Sequence, residues 1–181
     1  ESDHVENTMK DSYVSKAVQR CHDIHNAEAD GAGDILVFLT SQNEIERACS
    51  DLKGMLHRDV NDGIVEILPL HGKLQSEDQQ RVFRPTREGQ RKIVFATNIA
   101  ETSVTIPGVK YVVDTGMVKE LQYDAQRNMS LLKVTNISQA SAEQRKGRSG
   151  RTGPGICYRL YSKTEFDDME ATLKPEILRV H

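Results

Sequence analysis

The chain has 181 residues, with 24 lysines and arginines against 27 aspartates and glutamates, a formal net charge of -3 and 37% hydrophobic residues. This length and balance suit a single folded domain with a real core and argue against a disordered segment. No apolar run approaches the roughly 20 residues that span a bilayer, the first residues lack a signal-peptide pattern, and three scattered cysteines without a CxxC pair (Cys21, Cys49, Cys157) argue against a disulfide framework or a zinc site.

In chain order, Tyr13, Val14, Ala17, Val18 and Cys21 fall at helical spacing and predict a helix over 10–26, followed by an Ala/Asp/Gly-rich loop to residue 33. Ile35 to Leu39 is a short unbroken apolar run, the pattern of a strand buried on both faces. Ile45, Cys49, Leu52 and Leu56 form one stripe of an amphipathic helix. A strand over 64–70, a helix over 76–83 that Pro85 soon ends, and strands over 92–97 and 110–114 follow. Segments 117–123 and 129–135 flank the turn-prone Asp124-Ala-Gln-Arg-Asn128 and predict a β-hairpin with Val118, Leu131 and Val134 on its core face. A helix over 138–148 and a strand over 156–160 complete the alternation. Strands alternating with helices give an α/β fold, a mainly parallel sheet with helices on both faces and an inserted hairpin.

The densest chemistry lies in Gln144-Arg-Lys-Gly-Arg-Ser-Gly-Arg-Thr-Gly-Pro-Gly155. Gln144, Arg148 and Arg151 stand at i, i+4 and i+7, so a continuing helix carries all three on one face. Gly147 and Gly150 leave room for a bulky ligand or a facing domain. Arginine stays charged and donates in a planar fork, which suits phosphate. Read as Arg/Gly content alone, the same stretch is a solvated basic helix end, favoured by the helix dipole. Thr97 and Asn98 lie just past the end of a predicted parallel strand, where open α/β sheets place ligands; capping of the strand end is the plainer reading. Thr40 ends the first strand at the same edge, and His71, Gly72 and Lys73 follow the second. His71 has no second ligand at metal spacing and is expected to be packed or adjacent to a ligand bound at that edge, and no metal site is expected. Lys73 is either a phosphate contact or a solvated lysine.

These strings resemble the motifs of superfamily 2 helicases in their DEAH-box form. Residues 144–155 resemble the QRxGRxGRxxPG signature of the sixth motif, and Lys92 to Val109 is similar to the fifth. Leu36 to Glu46 looks like the fourth, and Leu70-His-Gly-Lys-Leu74 with Gln79 to Phe83 looks like the segment just beyond it. The resemblance runs from about Ser12 to Val180 in matching order and spacing, so residues 1–181 are expected to be the second RecA-like domain of a DEAH-box ATP-dependent RNA helicase. It implies that ATP sits between two RecA-like domains, with Arg148 and Arg151 as arginine fingers on the γ-phosphate and Gln144 positioning the attacking water or that phosphate. Thr105, Ser103 and Gly147 would adjoin the nucleotide, with Glu101 to Thr105 facing it, while Arg145 would support its helix. Thr40, Gly72, Lys73, Thr97 and Asn98 would contact the RNA backbone, and the hairpin, with Lys119, Tyr123 and Arg127, would lie beside the RNA path.

Two positions depart from the family pattern. Ser41 precedes Gln42 where relatives commonly carry Gly, and Pro107-Gly108 stand near where relatives often place a ribose-binding Asp. Neither a GxxxxGK[ST] phosphate loop nor a DEAH tetrapeptide occurs. The resemblance therefore implies that ATP and Mg2+ are held mainly by a first RecA-like domain preceding Glu1, and that this segment alone does not turn over ATP. Implied partners are RNA, that first domain, C-terminal domains of the same chain and a glycine-rich-type protein activator, without a membrane, in the nucleus or cytoplasm. RNA rather than DNA rests on the resemblance, because phosphate contacts carry little sequence information. A degenerate scaffold domain is the rival reading, and the intact Gln144, Arg148 and Arg151 speak against it.

Overall fold

The computed structural model describes residues 2–28, 33–102, 104–151 and 153–172. Five strands form one parallel sheet: β1 (Asp34–Phe38), β2 (Val65–Leu70), β3 (Arg91–Ala96), β4 (Val109–Asp114) and β7 (Ile156–Arg159), in the order β2-β3-β1-β4-β7. Every residue of β1 and β3 is buried, which explains why Ile35 to Phe38 and Ile93 to Ala96 are unbroken apolar runs rather than alternations. Pro69, which lacks an amide proton, sits in edge strand β2, where a missing ladder donor costs least.

Helices cover both faces. On one, α1 (Ser2–Ala27) and α2 (Gln42–Met55) bury Val14, Ala17, Val18, Cys21, Ile45, Ala48 and Leu52 against Ile35, Val37, Ile93, Phe95, Tyr111 and Val113. On the other, Val82 of α4 (Ser76–Phe83) and Ala100 of α5 (Ile99–Thr102) meet Leu36, Phe38, Leu68, Val94 and Val112. The end of α1 is fixed by Arg91, whose guanidinium donates to the carbonyls of His25, Glu28 and Gly33 and to His25 Nδ1. His25 therefore accepts at Nδ1 and donates from Nε2 to Asp59 at 2.7 Å, which selects the Nε2–H tautomer.

The mainly parallel α/β architecture matches the sequence expectation, with element ends moved by one to three residues at most positions. Three short helices were not legible: α3 (His57–Asn61), α5 and α7 (Lys163–Asp168). The predicted first helix is longer than expected, beginning at Ser2.

The hairpin is a separate two-stranded sheet, β5 (Met117–Asp124) against β6 (Met129–Asn136), turned by Asn128 at φ 49°. Its register pairs Val118 with Thr135, Gln122 with Leu131 and Lys119 with Val134. Val118 and Leu131 thus share a face and Val134 lies on the opposite one, which corrects the expected core face: alternate pairs point to opposite sides. Val118 and Ile137 pack with Ala142, Phe166 and Met169 at the hairpin base, while Leu121 and Leu132, paired further out, are 50% and 62% exposed.

Candidate functional site

Parallel strands put all their carboxyl ends at one edge of the sheet. Thr40 and Ser41 follow β1, His71 to Lys73 follow β2, Thr97 and Asn98 follow β3, and Thr115 and Gly116 lead from β4 into the hairpin. The strand order lines these up as Gly72/Lys73, Thr97/Asn98, Thr40 and then the hairpin root. Gly72, Lys73 and Asn98 are exposed and Thr97 is half-buried. Thr40 is buried, and its hydroxyl donates to the Glu44 carboxylate at 2.5 and 2.8 Å, with Tyr13 donating to the same group at 2.6 and 2.7 Å. That hydroxyl is committed internally, so a ligand at Thr40 meets its backbone. His71 is buried, and its Nδ1 accepts the Lys73 amide at 3.2 Å, a packed turn-forming histidine.

A second group of residues forms around α6 (Gln139–Gly147). Ser138 caps it by accepting the Ser141 amide at 3.1 Å, and the helix stops at Gly147 with Arg148 as its C-cap. The continuing helix that would carry Gln144, Arg148 and Arg151 on one face is therefore not formed; a loop takes Arg151 instead. Gly155 closes that loop, because a Cβ there would collide with the Ser149 carbonyl. A Cβ built at Gly147 or Gly150 meets nothing within 4 Å, so a large group can approach both.

The two arginines nevertheless converge on one segment. Arg148 donates from Nε and an NH2 group to the Glu101 carbonyl, and from its other NH2 group to the Val104 carbonyl at 2.8 Å. Arg151, exposed, donates to the Thr105 hydroxyl at 2.7 Å. Partial burial first, and the Arg151 charge second, push the Arg148 pKa below its ordinary value; even so an arginine keeps its charge at neutral pH. Gln144 and Thr105 are exposed beside this group. Ser103 and Thr152 lie outside the described residues.

Beneath the arginines lies a buried polar network. Arg145, fully buried, donates from Nε to Glu101 at 2.8 Å, from one NH2 group to Asp114 at 2.9 Å and from the other to the Met117 carbonyl at 3.0 Å. Its guanidinium carbon stands 4.7 Å from the centre of the Phe38 ring. Asp114 also accepts the Gly116 amide and the Tyr161 hydroxyl, and Glu101 accepts the Ser141 hydroxyl. Glu101 is thus an internal strut rather than a group facing a nucleotide, a correction to the expectation for that residue: its carboxylate is the counter-ion of a buried guanidinium.

Residues 15–153 match the family model for the helicase conserved C-terminal domain. This chain belongs to that family, in its DEAH-box branch. It is 55% identical over 170 residues to the ATP-dependent RNA helicase DEAH12, chloroplastic, of Arabidopsis thaliana, covering 94% of this chain and 9% of the relative. It is 49% identical over 170 residues to the pre-mRNA-splicing factor ATP-dependent RNA helicase prp22 of Schizosaccharomyces pombe, covering 92% and 14%. Among solved structures it superposes on the E. coli DExH-box NTPase HrpB with a TM-score of 0.81 and 35% identity, over 94% of this chain and 20% of that one. The helicase C-terminal domain described here therefore spans only 9–14% of those two relatives and a fifth of that structure.

Within the helicase domain, the sequence motifs located the arginines and the sheet edge. They did not find Asp114 and Tyr161, and they gave Arg145 only the role of supporting its helix. The available signal was a buried-strand aspartate, Asp114, two residues before Gly116: a charge at the end of an apolar strand needs a partner.

Proposed function

We propose that this domain is the second motor half of an ATP-dependent RNA helicase. The observation that carries the reading is the convergence of Arg148 and Arg151, from the sixth motif, on residues 101–105 of the fifth. Around them Gln144, Thr105 and Gly147 are exposed, and the glycine backbone is open. This donor set fits a polyphosphate approaching from outside the domain. On closure, Arg148 exchanges the carbonyls of Glu101 and Val104 for phosphate oxygens, and Arg151 leaves Thr105 to stabilise charge developing on the γ-phosphoryl group. Gln144 orients the attacking water, and Ser103 belongs to the same nucleotide edge by its place in the motif. ATP and Mg2+ are held mainly by a first RecA-like domain; the described residues bring together no group of three or more His, Cys, Asp or Glu that could hold a metal ion.

At the carboxyl edge, Gly72, Lys73, Thr97, Asn98 and the backbone at Thr40 track the RNA phosphates, with the hairpin beside them. Amides, short hydroxyls and one lysine suit a sequence-independent backbone contact. That the substrate is single-stranded RNA rests on the likeness to relatives named as RNA helicases; the partners are the first RecA-like domain, C-terminal domains of the same polypeptide and a glycine-rich-type activator, and the domain alone is inactive. The setting is nuclear or cytoplasmic RNA processing.

The deciding experiment is RNA-stimulated ATP hydrolysis by the full-length protein, wild type against Arg151→Ala. The variant is expected to lose about two orders of magnitude or more in turnover with RNA affinity kept. A wild type inert with both RNA and DNA refutes the motor reading in favour of a scaffold.

A further inference from the structure

The buried network under the arginines joins elements that the motor reading assigns to different tasks. Arg145 touches three: α5 through the Glu101 carboxylate, the end of β4 through Asp114, and the root of the hairpin through the Met117 carbonyl. Glu101 has a second connection, because its main-chain carbonyl receives two donors of Arg148. One residue thus carries the Arg145 ion pair on its side chain and Arg148 on its backbone. At the other end, the hairpin root is held by the Ile137 amide on the Gly116 carbonyl at 2.9 Å and by the Gly116 amide on Asp114 at 2.8 Å. Gly116 is itself pressed against Tyr161, whose hydroxyl donates to Asp114 at 2.7 Å.

Every link is short, charged or buried. The side chains of Arg145 and Asp114 are 0% exposed and that of Glu101 is 10% exposed, so water does not screen the chain of contacts. A planar guanidinium holding three acceptors fixes their relative positions in a way that a lysine, a point charge, does not. The hairpin root therefore cannot shift against α6 without moving either Arg145 or its acceptors.

We propose that Arg145 is a positioning residue that couples the hairpin to Arg148. Displacement of the hairpin by bound RNA moves the Met117 carbonyl and Asp114, Arg145 follows, and the Glu101 strut carries the shift to the carbonyl that retains Arg148. Arg148 is then released toward the nucleotide when the hairpin is loaded. Arg145 itself touches neither ATP nor RNA. The proposal rests on the motor reading above.

The test is a double-variant cycle in the full-length protein, reading the ratio of ATP turnover with and without single-stranded RNA. One arm is Arg145→Lys; the other shortens the hairpin by joining Glu120 directly to Lys133 through an Asn-Gly turn, a register-matched pair in β5 and β6. Each alone is expected to lower the RNA stimulation ratio by about two- to thirtyfold, and the combination by no more than the larger single loss. Tyr161→Phe is the milder second variant should Arg145→Lys fail to fold. It loosens Asp114 alone, is expected to lower the ratio in the intact hairpin and has no effect in the shortened one. A purely structural Arg145 would give losses that multiply, and that result overturns the coupling while leaving the motor reading in place. A wild type without RNA-stimulated turnover removes the motor reading and the coupling together.

Discussion

Removing the Arg145 side chain puts the buried network to a thermodynamic test. Arg145→Ala deletes the shared donor of two carboxylates, whose side chains are 0% exposed at Asp114 and 10% exposed at Glu101. Three hydrogen bonds to a charged donor are lost, at about 1.5–3 kcal/mol each when taken singly, but that sum overstates the loss. Asp114 keeps the Gly116 amide and the Tyr161 hydroxyl, and Glu101 keeps the Ser141 hydroxyl. Breaking a buried ion pair by deleting one partner costs about 3–5 kcal/mol, and this is the better guide. A domain of this size has about 5–15 kcal/mol of stability in total, so a large share is at stake. Urea unfolding of the purified chain, followed by far-UV circular dichroism, is expected to show a fall of about 4 kcal/mol, or a Tm lower by about 8–16 °C. Adding Glu101→Gln and Asp114→Asn leaves neutral amides in place of stranded charges and is expected to restore roughly half of the loss. A single-variant cost below about 1 kcal/mol, or a triple variant no more stable than the single, refutes the account of Arg145 as the counter-ion of a buried site.

Other expectations follow from single contacts. Gly116 has φ 74° and a Cβ there would lie 2.6 Å from the Tyr161 ring, so Gly116→Ala is expected to cost about 1–3 kcal/mol in urea unfolding. An unchanged midpoint would contradict the close approach. Burial raises the Asp34 carboxyl above its ordinary 3.8, against the lowering hydrogen bonds from Thr86 and the Lys92 amide. A raised folded-state value means that the native domain binds this proton more tightly than the unfolded chain. Its contribution is complete below pH 3.8 and is lost as pH rises through the raised value, so Asp34→Asn should flatten the stability–pH curve in that window. Burial pushes the Cys49 and Cys157 thiols up to about 11, which leaves roughly one thiolate in a thousand at pH 8. Alkylation at that pH should be slow for the folded chain and rise sharply in denaturing urea; fast labelling without denaturant would refute the raised values at buried Cys49 and half-buried Cys157.

The fold was legible in the sequence wherever burial is symmetric. Ile35 to Leu39 and Lys92 to Thr97 read as strands because helices cover both sides of β1 and β3, which removes any need for polar alternation. The stripe Ile45, Cys49 and Leu52 read as a helix because one face meets the core. The short helices α3, α5 and α7 were not legible, since four to six residues carry too little periodicity. The hairpin face was misread at Val134 because the register of β5 on β6, which decides which alternate residues share a side, is a property of the pair.

For the candidate site, the motif order alone singled out Gln144, Arg148, Arg151, Thr105 and the carboxyl-edge residues; strand ends are local features of the chain, whereas the helical offset failed at Arg151 because the helix stops at Gly147. Only tertiary structure decided where the side chains are committed. Arg148 turns onto carbonyls 44 and 47 positions earlier in the chain, Arg145 finds its carboxylates 44 and 31 positions earlier, and the Thr40 hydroxyl is taken by Glu44, which Tyr13 also holds. A buried charge is stable only opposite a partner, and for Arg145 those partners are brought within reach when β4, α5 and α6 pack together.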